Sequence, residues 1–142
     1  MMRRAASIAS IAMLAATGVL AQDDIRAAVT PPADVSRFEA PPERLRATGE
    51  RLFSDASLST NGMSCATCHA DFQSFNETFT EPYPHFVEMG QGVAGLDEVT
   101  AEQMVQLCMI VPMSADPLPW ESEELAALTA HVVALREEFA AR

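Results

Sequence analysis

The sequence predicts an all-α protein, because apolar residues recur at helical spacing and suitable capping residues stand where helices would begin. Near the C-terminus an apolar residue returns every three or four positions, which is typical of one buried helix face. This stripe consists of Leu125, Leu128, Val132, Leu135 and Phe139. Ser122 and Thr100 are good N-cap residues, and Pro42 suits the first turn of a helix. These signals place helices after residue 42, with irregular segments between them.

The first 21 residues have the features of a secretory signal peptide. Two arginines give a basic start, the run 8–20 is apolar and uncharged, and the smaller residues Val19 and Ala21 stand at the usual positions before a cleavage point. We expect cleavage between Ala21 and Gln22, with an uncleaved anchor as the alternative. The apolar run is short for a bilayer. We therefore expect a periplasmic protein with no membrane span after cleavage.

Residues 22–42 predict an acidic, proline-rich linker or a loosely packed extension. Two aspartates begin it, and four prolines stand among small residues with little apolar periodicity. One domain is then expected over 43–142, a length typical of single domains.

The first helix of this domain is expected over about 43–53, because Leu45, Gly49 and Leu52 recur at helical spacing. A mid-helix glycine lowers stability relative to alanine, so Gly49 predicts the close approach of another helix. We expect the apolar stripe of the last helix to pack on this face. Proline and glycine punctuate residues 70–95, which are expected to be irregular.

Two further helices follow. Thr100 and Gln103 form a capping box, which predicts a helix over about 101–110 that ends before Pro112. The last helix is expected to begin after Ser122 and to run to about residue 140, with acidic residues in its first turn facing the positive end of the helix dipole.

The chemistry of the chain is concentrated in the run Cys65-Ala66-Thr67-Cys68-His69. A C-x-x-C-H run is typical of covalent attachment of haem c. Cys65 and Cys68 share one side of a helical turn, so both thiols can bond the vinyl groups of one porphyrin. His69 would then lie beneath the ring, where its imidazole can ligate the iron.

A redox dithiol or half of a zinc site is the alternative interpretation of this run. A structural zinc site needs further Cys or His ligands at matching spacing. The residues left for that purpose are Cys108, His85 and His131. Haem c also agrees with export, since it is attached outside the bacterial cytoplasm.

The charge balance is strongly acidic. The chain has nine arginines, no lysine and 20 acidic residues. Removal of the signal peptide leaves seven arginines and a net charge of −13. This charge argues against nucleic acid or an anionic membrane as a partner. It favours a basic partner, or serves solubility alone.

The residues around the haem motif form a longer pattern. It reads Gly49-x-x-Leu52-Phe53-x-Asp55-x-x-Leu58-Ser59-x-Asn61-Gly62-Met63-Ser64-Cys65-Ala66-Thr67-Cys68-His69, followed by Phe72 and Phe75. The pattern resembles c-type cytochromes of the cytochrome c superfamily, and within it the haem domains of di-haem peroxidases and thiosulfate-oxidising cytochromes. The resemblance implies a cytochrome c-like fold, with N- and C-terminal helices crossing around one covalently bound haem. Di-haem peroxidases need a second C-x-x-C-H run, so their activity is not implied.

The distal iron ligand is open between several side chains. In this superfamily it tends to be a methionine in the loop before the C-terminal helix, a position that Met113 occupies here. Met109 is a further candidate, whereas Met104 is interpreted as core filler. His85, on a proline-rich loop, and His131, on the last helix, are less favoured.

Cys108 is the main competitor of Met113. The stretch from Cys108 to Ala130 resembles the end of the catalytic subunit of thiosulfate-oxidising cytochromes. In that family the matching cysteine ligates iron and carries the sulfur chemistry, assisted by an arginine four residues earlier. Met104 stands at that position here. The alternative role of Cys108 is that of a small buried apolar residue.

The expected function is that of a periplasmic mono-haem c-type cytochrome that carries single electrons between redox partners, with one covalent haem c per chain. Cys65, Cys68 and His69 would hold the haem, and Met113 would be the second axial ligand of the iron. The alternative is a haem subunit of an enzyme that oxidises sulfur compounds, with Cys108 at the iron. A five-coordinate haem that senses or binds a gas is a third possibility.

Overall fold

The structure, a computed structural model, describes residues 21–142. Within that range the chain forms α-helices and short 3₁₀ turns and no β-strand, which confirms the all-α class. The helices are α1 (Gln22–Ala28), α2 (Pro42–Phe53), α3 (Cys65–His69), α4 (Glu88–Ala94), α5 (Ala101–Ile110) and α6 (Glu123–Ala140). None of these described helices is long and apolar enough to cross a bilayer. The predicted signal peptide lies outside the described residues, except for Ala21.

The capping residues act as the sequence predicts. In the capping box of α5, the Gln103 N–H donates to Thr100 Oγ1 over 3.2 Å, and the Thr100 N–H donates to Gln103 Oε1 over 2.9 Å. Ser122 Oγ accepts from the Leu125 N–H over 3.2 Å at the start of α6. Each bond satisfies a backbone N–H that has no partner inside its helix. The starts of α5 and α6 are therefore fixed by local sequence.

The crossing of α2 and α6 at Gly49 is the main tertiary contact of the domain. A Cβ atom at Gly49 would lie 2.7 Å from the Cβ atom of His131 and against the backbone of Ala127. Only glycine lets the helices approach this closely. The predicted close approach at Gly49 is confirmed: Ala127 and His131 face the glycine, and the apolar stripe packs in one cluster with Leu52 and Phe53 of α2.

The segment 22–42, for which the sequence predicts a linker or loose extension, is partly helical and packed. α1 buries Ile25, and Val29 immediately after α1 is fully buried. The Arg26 guanidinium donates to the Gly95 carbonyl over 2.7 Å. The linker prediction is thus corrected for 22–29. Two apolar residues four positions apart are too few to register as periodicity, and so short a helix depends on tertiary packing.

The irregular stretch predicted over 70–95 contains one regular element, α4. Gly90 lies inside this helix, where a Cβ atom would come within 2.6 Å of Val99 Cγ1. The glycine permits helix packing here rather than marking a turn, which corrects the prediction for Glu88–Ala94.

α5 lies between two apolar clusters. One cluster joins Leu107 of α5 to α1, α4 and Val99. The other joins Val105 of α5 to Phe53 of α2 and to Leu125 and Leu128 of α6. α5 is therefore held on both sides, and this fixes the face on which it carries Cys108.

Candidate haem site

The C-x-x-C-H run forms α3, a short helix of five residues. Its start is fixed by two reciprocal bonds, from the Ser64 N–H to Thr67 Oγ1 over 2.9 Å and from the Thr67 N–H to the Ser64 carbonyl over 3.0 Å. Cys65 and Cys68 are both free and partly buried. Burial raises the pKa of the Cys65 thiol. The helical turn presents the two thiols on neighbouring positions, as covalent attachment to one porphyrin requires.

The His69 imidazole is held in one orientation. Its Nδ1–H donates to the Gln73 carbonyl over 3.1 Å, because a carbonyl can only accept. Burial lowers the pKa of His69, which favours the neutral ring. The Nε2 lone pair is thereby left for a metal, in the arrangement typical of ligating histidines.

The Gln73 carbonyl reaches His69 through an unusual turn. Asp71, Phe72 and Ser74 have φ values of 53°, 63° and 59°. This left-handed region is unfavourable for residues with a Cβ atom. Such strain costs on the order of 1–3 kcal/mol per residue and is concentrated at functional sites. The turn folds the chain back so that Gln73 caps the His69 ring, a feature that local propensity does not predict.

Aromatic packing supports the same ring. Phe75 is stacked on His69, with centroids 4.4 Å apart and planes inclined by 12°. Phe79 is stacked on Phe75 at 3.9 Å, and Phe139 of α6 contacts both phenylalanines. The histidine is therefore fixed by one hydrogen bond and one stacked ring.

A large cavity opens beside His69. It has about 740 Å³ of empty volume, including the part open to solvent. Its lining is mainly apolar and consists of Phe53, Cys65, His69, Ser74, Phe75, Asn76, Thr78, Phe79, Tyr83, His85, Val87, Met104, Val105, Cys108, Leu128 and Val132. The residues fit haem c: thiols at attachment spacing, an oriented histidine and an apolar space beside it.

A small cavity adjoins the large one at the haem motif. Its lining consists of Met63, Ser64, Cys65, Cys68, His69, Cys108, Pro112 and Met113. Cys65, His69 and Cys108 thus border both cavities, whereas Met113 borders the small one. Met113 is 2% exposed. Its segment is tied to the residues before the motif by bonds from Asn61 Nδ2 to the Pro112 carbonyl, 2.8 Å, and from Thr60 Oγ1 to the Ser114 carbonyl.

Cys108 is partly buried on α5 and lines both cavities. Burial raises the pKa of its thiol to about 12. A thiolate at this position would need a strong positive charge, such as a metal ion, to form. Neither cavity is lined by an arginine among the described residues.

The other candidate ligands are spread over the domain. Met104 and His85 line the large cavity, and Met63 lines the small one. Met109 is buried in the interior, and His131 lies at the helix crossing with its ring 5.0 Å from that of Phe53. Neither Met109 nor His131 borders these two cavities in the described part of the chain.

Gln106 is a structural residue of the site that sequence reasoning missed. It is fully buried on α5. Its side chain donates to the Leu118 carbonyl over 2.7 Å and accepts from the Leu118 N–H over 2.8 Å. This pair of bonds fastens the loop that carries Met113 to the helix that carries Cys108. The available signal was a lone glutamine in the otherwise apolar stretch 104–110 of this helix.

The comparison with known families agrees with this geometry. Residues 48–138 match the family model described as SoxA/TsdA, cytochrome c domain. No curated protein and no solved structure matched the chain. The matched range contains the haem motif, every residue that lines the two cavities, and the α2–α6 crossing at Gly49. A cytochrome c domain of this type carries covalently bound haem c. The chain belongs to the SoxA/TsdA cytochrome c domain family.

Proposed function

We propose that this protein is an exported mono-haem c-type cytochrome that carries single electrons between redox partners. The main support for the proposal is that the C-x-x-C-H run, with an oriented His69, lies directly beside one large apolar cavity. When bound there, haem c supplies an iron couple that gains and loses one electron.

Each residue of the motif has a distinct role in this proposal. Cys65 and Cys68 hold the porphyrin through two thioether bonds, and His69 offers Nε2 to the iron. The Gln73 carbonyl keeps His69 in the tautomer that can ligate. The apolar lining limits the access of water, which supports electron transfer without side reactions at the iron.

Met113 is the proposed sixth ligand. Its burial and its place in the loop before α6 support this role. The bonds from Asn61 and Thr60 keep its segment beside the haem motif. Methionine with histidine raises the reduction potential and saturates the iron, as an electron carrier requires.

One observation favours a second candidate function. Cys108 borders both cavities together with His69, whereas Met113 borders only the small one of the two. Cys108 at the iron would fit a haem subunit of an enzyme that oxidises sulfur compounds. Against this candidate, Met104 replaces the arginine that would assist an anionic substrate, and no arginine lines the described cavities.

The partner of the electron carrier is proposed to be a basic redox protein in the periplasm. The support is the net charge of −13 that remains after removal of the predicted signal peptide. Opposite charges accelerate the association of redox proteins, and added salt weakens the effect. Reduction of the purified protein by a basic partner should slow as ionic strength rises, and a rate indifferent to salt would assign the charge to solubility.

The absorption spectrum of the purified haem protein tests the proposal. Methionine with histidine should give a low-spin spectrum with the weak far-red band of ferric iron ligated by a thioether. Thiolate ligation should abolish that band and would favour the second candidate, as would turnover of thiosulfate. A protein without covalent haem would refute both.

A further inference from the structure

We propose that His85, with Tyr83 beside it, is the hydrogen-bonding site for a carboxylate of the porphyrin, and the proposal rests on the haem site of the proposed function. His85 lines the large cavity and is 4% exposed. Its Nδ1 atom has no hydrogen-bond partner among residues 21–142. Nδ1 is thus buried away from any partner, and this bears on which ring nitrogen carries the proton that His85 can donate into the cavity.

The contrast with His69 defines what His85 can do. In His69, Nδ1–H has a carbonyl partner, and the lone pair is left on Nε2. In His85, a proton on Nδ1 would be a buried N–H without a partner, and most buried side-chain polar atoms in proteins do have a partner. The proton of a neutral His85 ring is therefore favoured on Nε2. In that tautomer His85 is a donor and has no Nε2 lone pair to offer to iron.

The position of His85 fits the carboxylate edge of a porphyrin. The two propionates of haem c stand on the opposite edge from the groups that bond to cysteine. Cys68 borders the small cavity, whereas Tyr83 and His85 border the large one, and the two cavities meet at Cys65 and His69. A porphyrin held at the motif would extend its carboxylates away from Cys68, into the large cavity.

His85 is held firmly at this wall. The backbone N–H of His85 donates to the Val99 carbonyl over 3.2 Å, and the backbone N–H of Val99 donates to the His85 carbonyl over 2.9 Å. Its ring is stacked on Tyr83, with centroids 4.4 Å apart. Tyr83 adds a hydroxyl group, and burial raises the pKa of that hydroxyl, which keeps it protonated as a donor. The described lining holds no arginine, and His85 and Tyr83 are donors that it offers to a carboxylate.

Replacement of His85 tests the proposal through the reduction potential of the purified haem protein. His85→Leu removes the donor, so the carboxylate charge is less compensated and ferric iron is favoured. We expect the redox equilibrium to move toward the ferric form by threefold or more, which equals about 28 mV at 59 mV per tenfold for one electron. His85→Gln keeps a donor and should restore most of the native potential. The matched control is His131→Leu, which removes a histidine outside both cavities and should leave the potential unchanged.

An unchanged potential in His85→Leu would overturn the proposal, as would a changed axial-ligand spectrum, because the latter would place His85 at the iron. If His85→Leu yields no haem protein, a crystal structure of the native haem protein decides. We expect His85 Nε2 within about 3.2 Å of a propionate oxygen, the usual limit of an N–H···O bond, and a longer separation would overturn the proposal. If the native protein has no covalent haem, the proposed function itself is refuted. If the haem protein forms and its reduction potential does not respond to His85→Leu, only the proposed site at His85 is refuted.

Discussion

The proximal and distal sides of the haem cavity differ in how many independent contacts fix them. On the proximal side, His69 has a hydrogen bond to Gln73 and a stacked ring, Phe75. On the proposed distal side, Cys108 and Met113 both line the small cavity beside the haem motif, and within residues 21–142 neither side chain has a hydrogen-bond partner of its own. The proposed proximal ligand is thus positioned by its immediate neighbours. The position of the proposed distal ligand depends on how α5 and the following loop pack, so the two sides should respond differently to substitution.

The largest effect is expected from the covalent anchor. Cys65→Ala with Cys68→Ala should leave a protein without covalent haem and with much reduced helicity, because a small domain that loses the centre of its core buries too little apolar surface. Haem-stained electrophoresis and circular dichroism measure both effects. Cys108→Ala is the matched control and should keep the covalent haem. A double variant with native helicity would show that the domain does not fold around the haem.

The next largest effect is expected at the distal ligand. Met113→Ala should open the iron to water or added ligands and lower the reduction potential, because thioether ligation favours ferrous iron. Cys108→Ser should leave the spectrum almost unchanged and lower the free energy of unfolding by about 1 kcal/mol, for a more polar group in a buried position. Absorption spectra and potentiometry of the two variants measure this contrast.

The opposite pattern would identify Cys108 as the ligand. Cys108→Ser would then change the spin state and abolish any turnover of thiosulfate, while Met113→Ala kept the native spectrum. Because burial raises the pKa of Cys108 to about 12, its thiolate would exist near neutral pH only when bound to the iron.

An intermediate effect is expected from the loop that carries Met113. Gln106→Met keeps the volume of the side chain but leaves the N–H and carbonyl of Leu118 without partners. The free energy of unfolding should fall by about 2–4 kcal/mol, since each buried group without a partner costs about 1–3 kcal/mol. Urea unfolding measures the loss, and Gln91→Met at an exposed position of α4 is the control. Equal stability of the two variants would contradict the structural role of Gln106.

The haem motif is recognisable in the sequence because covalent attachment needs a fixed local spacing, which Cys65, Cys68 and His69 provide, and their roles at the haem stay a prediction. The sequence also predicted α2, α5 and α6, whose periodicity and capping residues are local signals. The Gln73 carbonyl could not be predicted, because it reaches His69 through left-handed residues such as Asp71 that local propensity disfavours.

The distal side could not be resolved from sequence for a different reason. Its arrangement depends on bonds between distant segments, from Asn61 to the Pro112 carbonyl and from Gln106 to Leu118. No periodic pattern encodes such contacts. The same applies to α1, where the burial of Ile25 depends on α4 and α5.

The smallest effect is expected from the ring that supports His69. Phe75→Leu keeps an apolar side chain beside the histidine but removes the stacked ring, and an aromatic pair contributes about 0.5–1.5 kcal/mol beyond its buried area. The free energy of unfolding should therefore fall by about 1 kcal/mol. The spectrum should stay native, because the Gln73 carbonyl still orients His69. Phe86→Leu is the control, since Phe86 is 43% exposed and should tolerate the change. If Phe75→Leu loses the native spectrum while Gln106→Met keeps it, the proximal side depends on packing more than on its hydrogen bond, and the contrast between the two sides would be reversed.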